Sequence, residues 1–186
     1  KEGFITQDRT EKTHYISRTG IEGRHADPNV FVQMDTYAVK GLQSGQIQFL
    51  YAPTHLNPTY EYGVTFERGT AVTYGDRKQI FISGTASIDN QGEIMYPGDI
   101  LKQTERMLEN IDTLLQEAGS GLQDIMQAIV YLRDPADYVV VKQYIESRYP
   151  SFLHLIVHAP VCRPGWLIET ECIAVIPADA PQYAYL

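Results

Sequence analysis

The segment Cys162-Arg163-Pro164-Gly165-Trp166-Leu167-Ile168-Glu169-Thr170-Glu171-Cys172-Ile173-Ala174-Val175 reads as a loop running into a strand. Pro164-Gly165 is a turn pair. From Leu167 onward apolar and β-branched residues alternate with others at period two. That alternation puts Ile168, Thr170, Cys172, Ala174 and Ile176 on one face, and Leu167, Glu169, Glu171, Ile173 and Val175 on the other. The first face is core. The second carries two carboxylates in mid-strand, where carboxylates are disfavoured and costly to bury unpaired. Either they are solvated glutamates on an open sheet face, or one of them is a working acid. In the second case the preceding loop supplies it with a guanidinium (Arg163) and a thiol (Cys162).

Working outward, the regular part of the chain begins near Gly69. Residues 70–74 and 79–87 read as strands, and residues 93–96 as a third after the Asp89-Asn90-Gln91-Gly92 turn. In the second, Ile80, Ile82, Ala86 and Ile88 share one face, while Ser83, Thr85 and Ser87 share the other. Pro97-Gly98-Asp99 opens a helix with Asp99 as N-cap. Ile100, Met107, Leu108, Ile111, Leu114, Leu115 and Ala118 form its apolar stripe, and Gly119-Ser120-Gly121 ends it. A strand over 125–132 and a second helix to about Arg148 follow, the latter despite the weak helix formers Val139-Val140-Val141. Residues 153–157 and 167–176 close the sheet.

Upstream, residues 1–29 are polar and aperiodic. Residues 30–34 and 46–51 are strand-like, and a loop with two prolines, Pro53 and Pro58, follows. We expect residues 1–62 to be an arm, or the remnant of an upstream half-domain, and residues 63–186 to be the domain proper.

Composition narrows the function. A length of 186 residues suits one domain plus an extension, and 44% hydrophobic content is ordinary for a globular chain. The net charge of −8 and the lack of a basic stripe speak against nucleic acid as a partner. No apolar run is long enough for a membrane span, so no membrane partner and a cytoplasmic location are expected. Two cysteines give neither a disulfide framework nor zinc spacing. His154 and His158, four apart on a strand, are too distant to share a metal unaided. No metal and no cofactor are expected.

The element order β-β-β-α-β-α-β-β lets two amphipathic helices cover only one sheet face. The other face mixes Ser83, Thr85, Glu169 and Glu171 with apolar Leu167, Ile173 and Val175. Such a face is poor core and poor surface, and suits a subunit interface holding a polar ligand cleft. The expected fold is α+β, a mixed sheet with two helices on one face, in a homo-oligomer.

Several segments resemble the Rid (YjgF, reactive-intermediate deaminase) superfamily. They are Phe81-Ile82-Ser83-Gly84-Thr85-Ala86, Gln103-Thr104, Leu108-Glu109-Asn110-Ile111, Glu117-Ala118-Gly119-Ser120 and the stretch from Leu167 to Ala174. The similarity spans about residues 69–175. It implies a chorismate-mutase-like fold and a homotrimer with clefts between subunits. The family's strand serine matches Ser83 and its water-orienting glutamate matches Glu169. The deaminases of this superfamily keep an arginine fifteen residues before that glutamate, where this chain has His154. The bidentate anchor for an imine or enamine carboxylate is therefore missing.

Tyr62-Gly63-Val64-Thr65-Phe66-Glu67-Arg68-Gly69-Thr70, Ser83 through Ile88 and Cys162 through Glu169 resemble the C-terminal part of chorismatases. These Rid-related hydrolases cleave the enolpyruvyl ether of chorismate and release pyruvate. Their catalytic glutamate and nearby cysteine match Glu169 and Cys162. Their chains are longer, so an upstream half of the same protein is the alternative to a second copy as partner. The implied ligand is a small carboxylated metabolite. Glu169 is the expected general acid, raised by burial near Glu171. Arg68, Arg163, Ser83, Gly84, Thr85 and Cys162 are the expected binding residues. Two further readings stay open: a Rid-type protein that binds metabolites without turnover, and an RNA-directed role like that of relatives labelled endoribonuclease or translation inhibitor.

Overall fold

The computed structural model describes residues 5–7 and 13–185. Its main sheet has six strands in the order β3-β4-β5-β8-β6-β7. The strands are β3 (Ile47–Leu50), β4 (Gly69–Thr73), β5 (Arg77–Ala86), β6 (Ile125–Leu132), β7 (His154–His158) and β8 (Ile168–Pro177). A two-stranded ribbon, β1 (Ile5–Gln7) with β2 (Thr13–Tyr15), precedes it. The quoted stretch is thus the central strand. β8 pairs antiparallel with β5 on one side and β6 on the other. The only parallel pair among the described strands, β6 with β7, is joined by α2 (Tyr138–Arg148), since a parallel pair needs a crossover.

Helix α1 (Ile100–Glu117) starts where Asp99 accepts a hydrogen bond from the Lys102 backbone N–H at 3.0 Å. It stops before Gly119, whose φ of +79° suits glycine. Its stripe of Met107, Leu108, Ile111, Leu114 and Leu115 packs into one core with Ile80, Ile82, Cys172 and Ala174. The mixed α+β fold is as the pattern indicates. α2 buries only Val141 and Ile145 and leaves Val139 exposed. Its weak propensity is offset by that packing and by the start at Asp134-Pro135, where Asp134 accepts from the Ala136 N–H.

Two expectations about strands need correction. Residues 93–96 form no strand; a single bridge joins Ile88 and Ile94. Residues 30–34 are irregular and Phe31 is 91% exposed; among the described residues no strand pairs with them to take their backbone hydrogen bonds. The strand-like run at 46–51 does form a strand: residues 47–50 are the sheet edge against β4. Among the described residues no helix is long and apolar enough to cross a membrane.

Two side chains tie the loop before β8 to the scaffold. Gln103 of α1 donates to Gly165 O and Tyr96 O and accepts from the Leu167 N–H. Arg133, just past β6, donates to Trp166 O and Arg163 O at 2.7 Å each, and to Val161 O. The loop that carries Cys162 and Arg163 is therefore clamped from both sides.

Candidate active site

The site is set by an irregularity in β5. Ile82 pairs with Cys172 and Thr85 with Thr170, so Ser83 and Gly84 together stand opposite one residue of β8. Beyond this bulge the faces exchange. Ala86 now pairs with Glu169 and shares its face, while Thr85 pairs with Thr170 toward the core. Thr85 is buried and donates to Ser83 O at 2.9 Å. Strict alternation placed Ser83, Thr85 and Ser87 on Glu169's side, and the bulge takes Thr85 away from it. Glycine at 84 is required by close approach. A Cβ there would lie 2.1 Å from Glu169 Oε1 and 2.8 Å from Thr19 Cγ2.

A cavity of about 360 Å³ opens on this face. Glu169, Gly84 and Ala86 lie on its sheet side. Cys162, Arg163 and Trp166 come from the clamped loop, and Val64, Phe66 and Arg68 from the segment before β4. Arg18, Thr19 and Gly20 complete its lining. Five of the seven residues singled out from sequence therefore meet: Glu169, Gly84, Cys162, Arg163 and Arg68. Ser83 is buried behind the wall. Its hydroxyl donates to Glu67 O at 2.6 Å and accepts from the Arg18 N–H at 3.0 Å. It lines a smaller neighbouring groove of about 180 Å³ that also meets Glu171.

Glu169 is only 5% exposed, and its Oε2 has no hydrogen-bond partner among the described residues. Burial, then the charge of Glu171, push its carboxyl up to about 7, against the pull of Arg68. The twin Glu171 is half-buried and accepts the Tyr131 hydroxyl at 2.7 Å. Glu169 is the more buried of the two carboxylates, with residues 18–20 and the clamped loop lining the cavity beside it. The Cys162 thiol donates to Gly20 O at 3.2 Å, and burial and the charge of Glu169 raise its pKa, so it stays a protonated donor. Arg68 is buried and donates through Nε and Nη2 to Asn57 O, and through Nη2 to Asn57 Oδ1. Arg163 donates to Gly92 O and lies 5.0 Å from the Trp166 ring centre.

The residues that sequence reasoning missed are Arg18, Thr19 and Tyr131. Arg18 and Thr19 sit in a stretch without periodicity, which carries no local signal. Tyr131 belongs to the site face only because β6 pairs it with Glu169, and a single sequence does not reveal that register. No group of three His, Cys, Asp or Glu residues among those described is placed to hold a metal ion.

A mixed sheet with two helices on one face and a buried acid at the head of its central strand defines a small α+β protein with a polar cleft. The endoribonuclease L-PSP family profile matches residues 69–176, and the chain belongs to that family, part of the Rid/YjgF superfamily. A RutC family protein of Pyrococcus abyssi is 35% identical over 97 residues, covering 51% of this chain and 76% of that one. The 3-aminoacrylate deaminase RutC of Acinetobacter baylyi is 30% identical over 97 residues, covering 51% and 77%. A crystal structure of a chorismatase superposes with a TM-score of 0.62 at 23% identity, over 69% of this chain and 43% of that one.

Proposed function

We propose that this chain hydrolyses a carboxylated enol ether as chorismatases do, with Glu169 as general acid. The observation that supports this is the Glu169 carboxyl. It is buried, raised to about 7, unpartnered at Oε2 and on the wall of a cavity of substrate size. A group titrating there is protonated in a large fraction at neutral pH, which a proton donor to carbon needs. Glu169 gives its proton to the terminal methylene carbon of the enol, and the adjacent carbon becomes an oxocarbenium. Water adds to that carbon and returns a proton to Glu169. The hemiketal then breaks its bond to the ring oxygen, giving pyruvate and a ring alcohol. Arg68 and Arg163 hold the enolpyruvyl carboxylate, and Gly84 leaves the room that the acid occupies.

A second reading, hydrolysis of an enamine or imine, is favoured by the identity with a 3-aminoacrylate deaminase. Two features weigh against it. His154 replaces the anchoring arginine. It also lies on β7 paired with Ala128, in the core-side register, with Nδ1 2.8 Å from Phe152 O. The test is pyruvate release from chorismate beside ammonia release from freshly generated 2-aminoacrylate. The hydrolase reading requires the first well above background and the second near it; the reverse pattern overturns it.

A further inference from the structure

A substrate with two carboxylates needs two sources of positive charge in a cavity that already holds Glu169 close to Glu171. Arg68, from the segment before β4, and Arg163, from the clamped loop, both line the cavity, and in the enol-ether reading they serve one carboxylate. Arg18 is a third arginine on the lining of the same cavity. Its backbone is pinned: the Arg18 N–H donates to Ser83 Oγ at 3.0 Å. On either side, Ser17 Oγ and Thr70 Oγ1 are hydrogen-bonded at 2.7 Å, and the Gly84 N–H donates to Thr19 Oγ1 at 2.8 Å. Gly20 O accepts the Cys162 thiol. Four consecutive residues are thus fastened to the two strands and the loop that build the site.

The side chain of Arg18 is treated differently. It is exposed, and its guanidinium has no hydrogen-bond or ion-pair partner among the described residues. It lines both the Glu169 cavity and the neighbouring groove. A fixed root with an uncommitted planar fork at a cavity mouth is suited to bidentate capture of a carboxylate. We infer that Arg18 binds the second carboxylate of the substrate, so that the site selects dicarboxylates over monocarboxylates. This rests on the enol-ether reading for the identity of the substrate, though not for the preference itself. Gly84 ties the two halves together. Its N–H holds Thr19, while its missing side chain admits Glu169, so the acid and the Arg18 root are positioned from one residue.

The experiment uses Arg18→Ala and Arg18→Lys in the full chain, with melting curves as a folding check. Pyruvate release is measured from chorismate and from chorismate esterified at its ring carboxylate. Binding of isophthalate and benzoate, an unreactive dicarboxylate and monocarboxylate, is measured by calorimetry. A charge-assisted contact is worth about 1.5–3 kcal/mol, or roughly 10- to 150-fold. Arg18→Ala should raise KM for chorismate by about that factor, with kcat nearly unchanged and KM for the ester little altered. Arg18→Lys should restore part of the affinity. Unchanged KM in Arg18→Ala, with active wild type, overturns the inference. If wild type releases no pyruvate yet prefers isophthalate, and Arg18→Ala loses that preference, the hydrolase reading fails and the role of Arg18 stands. A wild type that binds isophthalate no better than benzoate overturns it as well.

Discussion

Glu169 and Glu171 are two residues apart on one strand face, yet their environments separate them. The first is buried, with an oxygen that has no partner among the described residues; the second is half-buried and accepts a phenol hydroxyl. Their roles should separate likewise. Glu169→Gln keeps shape but removes the donor, so turnover should fall by about 10²–10⁴-fold with substrate binding retained. Glu171→Gln should do far less. Steady-state rates with calorimetry on both variants check this. The raised carboxyl has a second consequence. The folded state holds a proton that the unfolded chain releases above its ordinary value of 4.5. The stability tied to that proton is complete below about 4.5 and is lost as pH rises through about 7. Urea melts should show wild type losing up to about 3 kcal/mol across this window relative to Glu169→Gln. Parallel pH profiles of the two would mean that the carboxyl is not raised. Gly84→Ala offers a steric counterpart. Its methyl group meets Glu169 Oε1 and Thr19 Cγ2, so it should cost about 1–3 kcal/mol and abolish turnover. Near-wild-type activity would mean that the carboxyl does not lie against residue 84.

At the level of elements, what the sequence disclosed and what it hid divide along a physical line. Strand alternation in residues 168–176 and the stripe of α1 are local signals, and both elements form where those signals lie. The same stripe supports a quantitative expectation. Leu108 is fully buried against the sheet, so Leu108→Ala should lower the unfolding free energy by about 2–5 kcal/mol in urea titration. A loss under about half a kcal/mol would mean that the helix packs by another face. Register is not local. The bulge at Ser83 and Gly84 moves Thr85 off the site and brings Ala86 onto it, and nothing in the alternation of β5 announces the change. The contribution of residues 17–20 is less legible still. Their hydrogen bonds reach partners more than fifty residues away, to Thr70, Ser83, Gly84 and Cys162, and aperiodic sequence does not encode such partners. Glu169, Cys162 and Arg163 were legible because they flank one strong strand pattern. Arg18 was not.

For the molecule as a whole, the sheet face opposite the helices is covered unevenly. Over β5 the chain shields its own sheet: residues 17–20 lie along Ser83 and Gly84, and Tyr37 meets Phe81 at 5.6 Å between ring centres. Among the described residues, β6 and β7 have no such shield. Leu155 pairs with Ile129, which pairs with Glu171, so all three share the face, and Leu155 is 62% exposed. Val157 and Tyr131 continue the row, and Leu153 at the strand's edge is also exposed. An apolar row on a sheet edge, beside a polar cleft, is unfavourable in water and is commonly covered by association. We propose that a second copy of the chain covers it, in a closed assembly such as the trimer that the family resemblance implies. Light scattering coupled to gel filtration should then give a multiple of 21.0 kDa at micromolar concentration. Leu155→Glu puts a charge in the middle of the contact, where an unpaired buried carboxylate is strongly disfavoured. It should dissociate the assembly to the 21.0 kDa species with its circular dichroism unchanged, because Leu155 contributes little to the core of its own chain. A wild type that runs as the single chain across a hundredfold concentration range would show that this face stays open or meets a different partner. An assembly that survives Leu155→Glu would place the contact elsewhere on the surface.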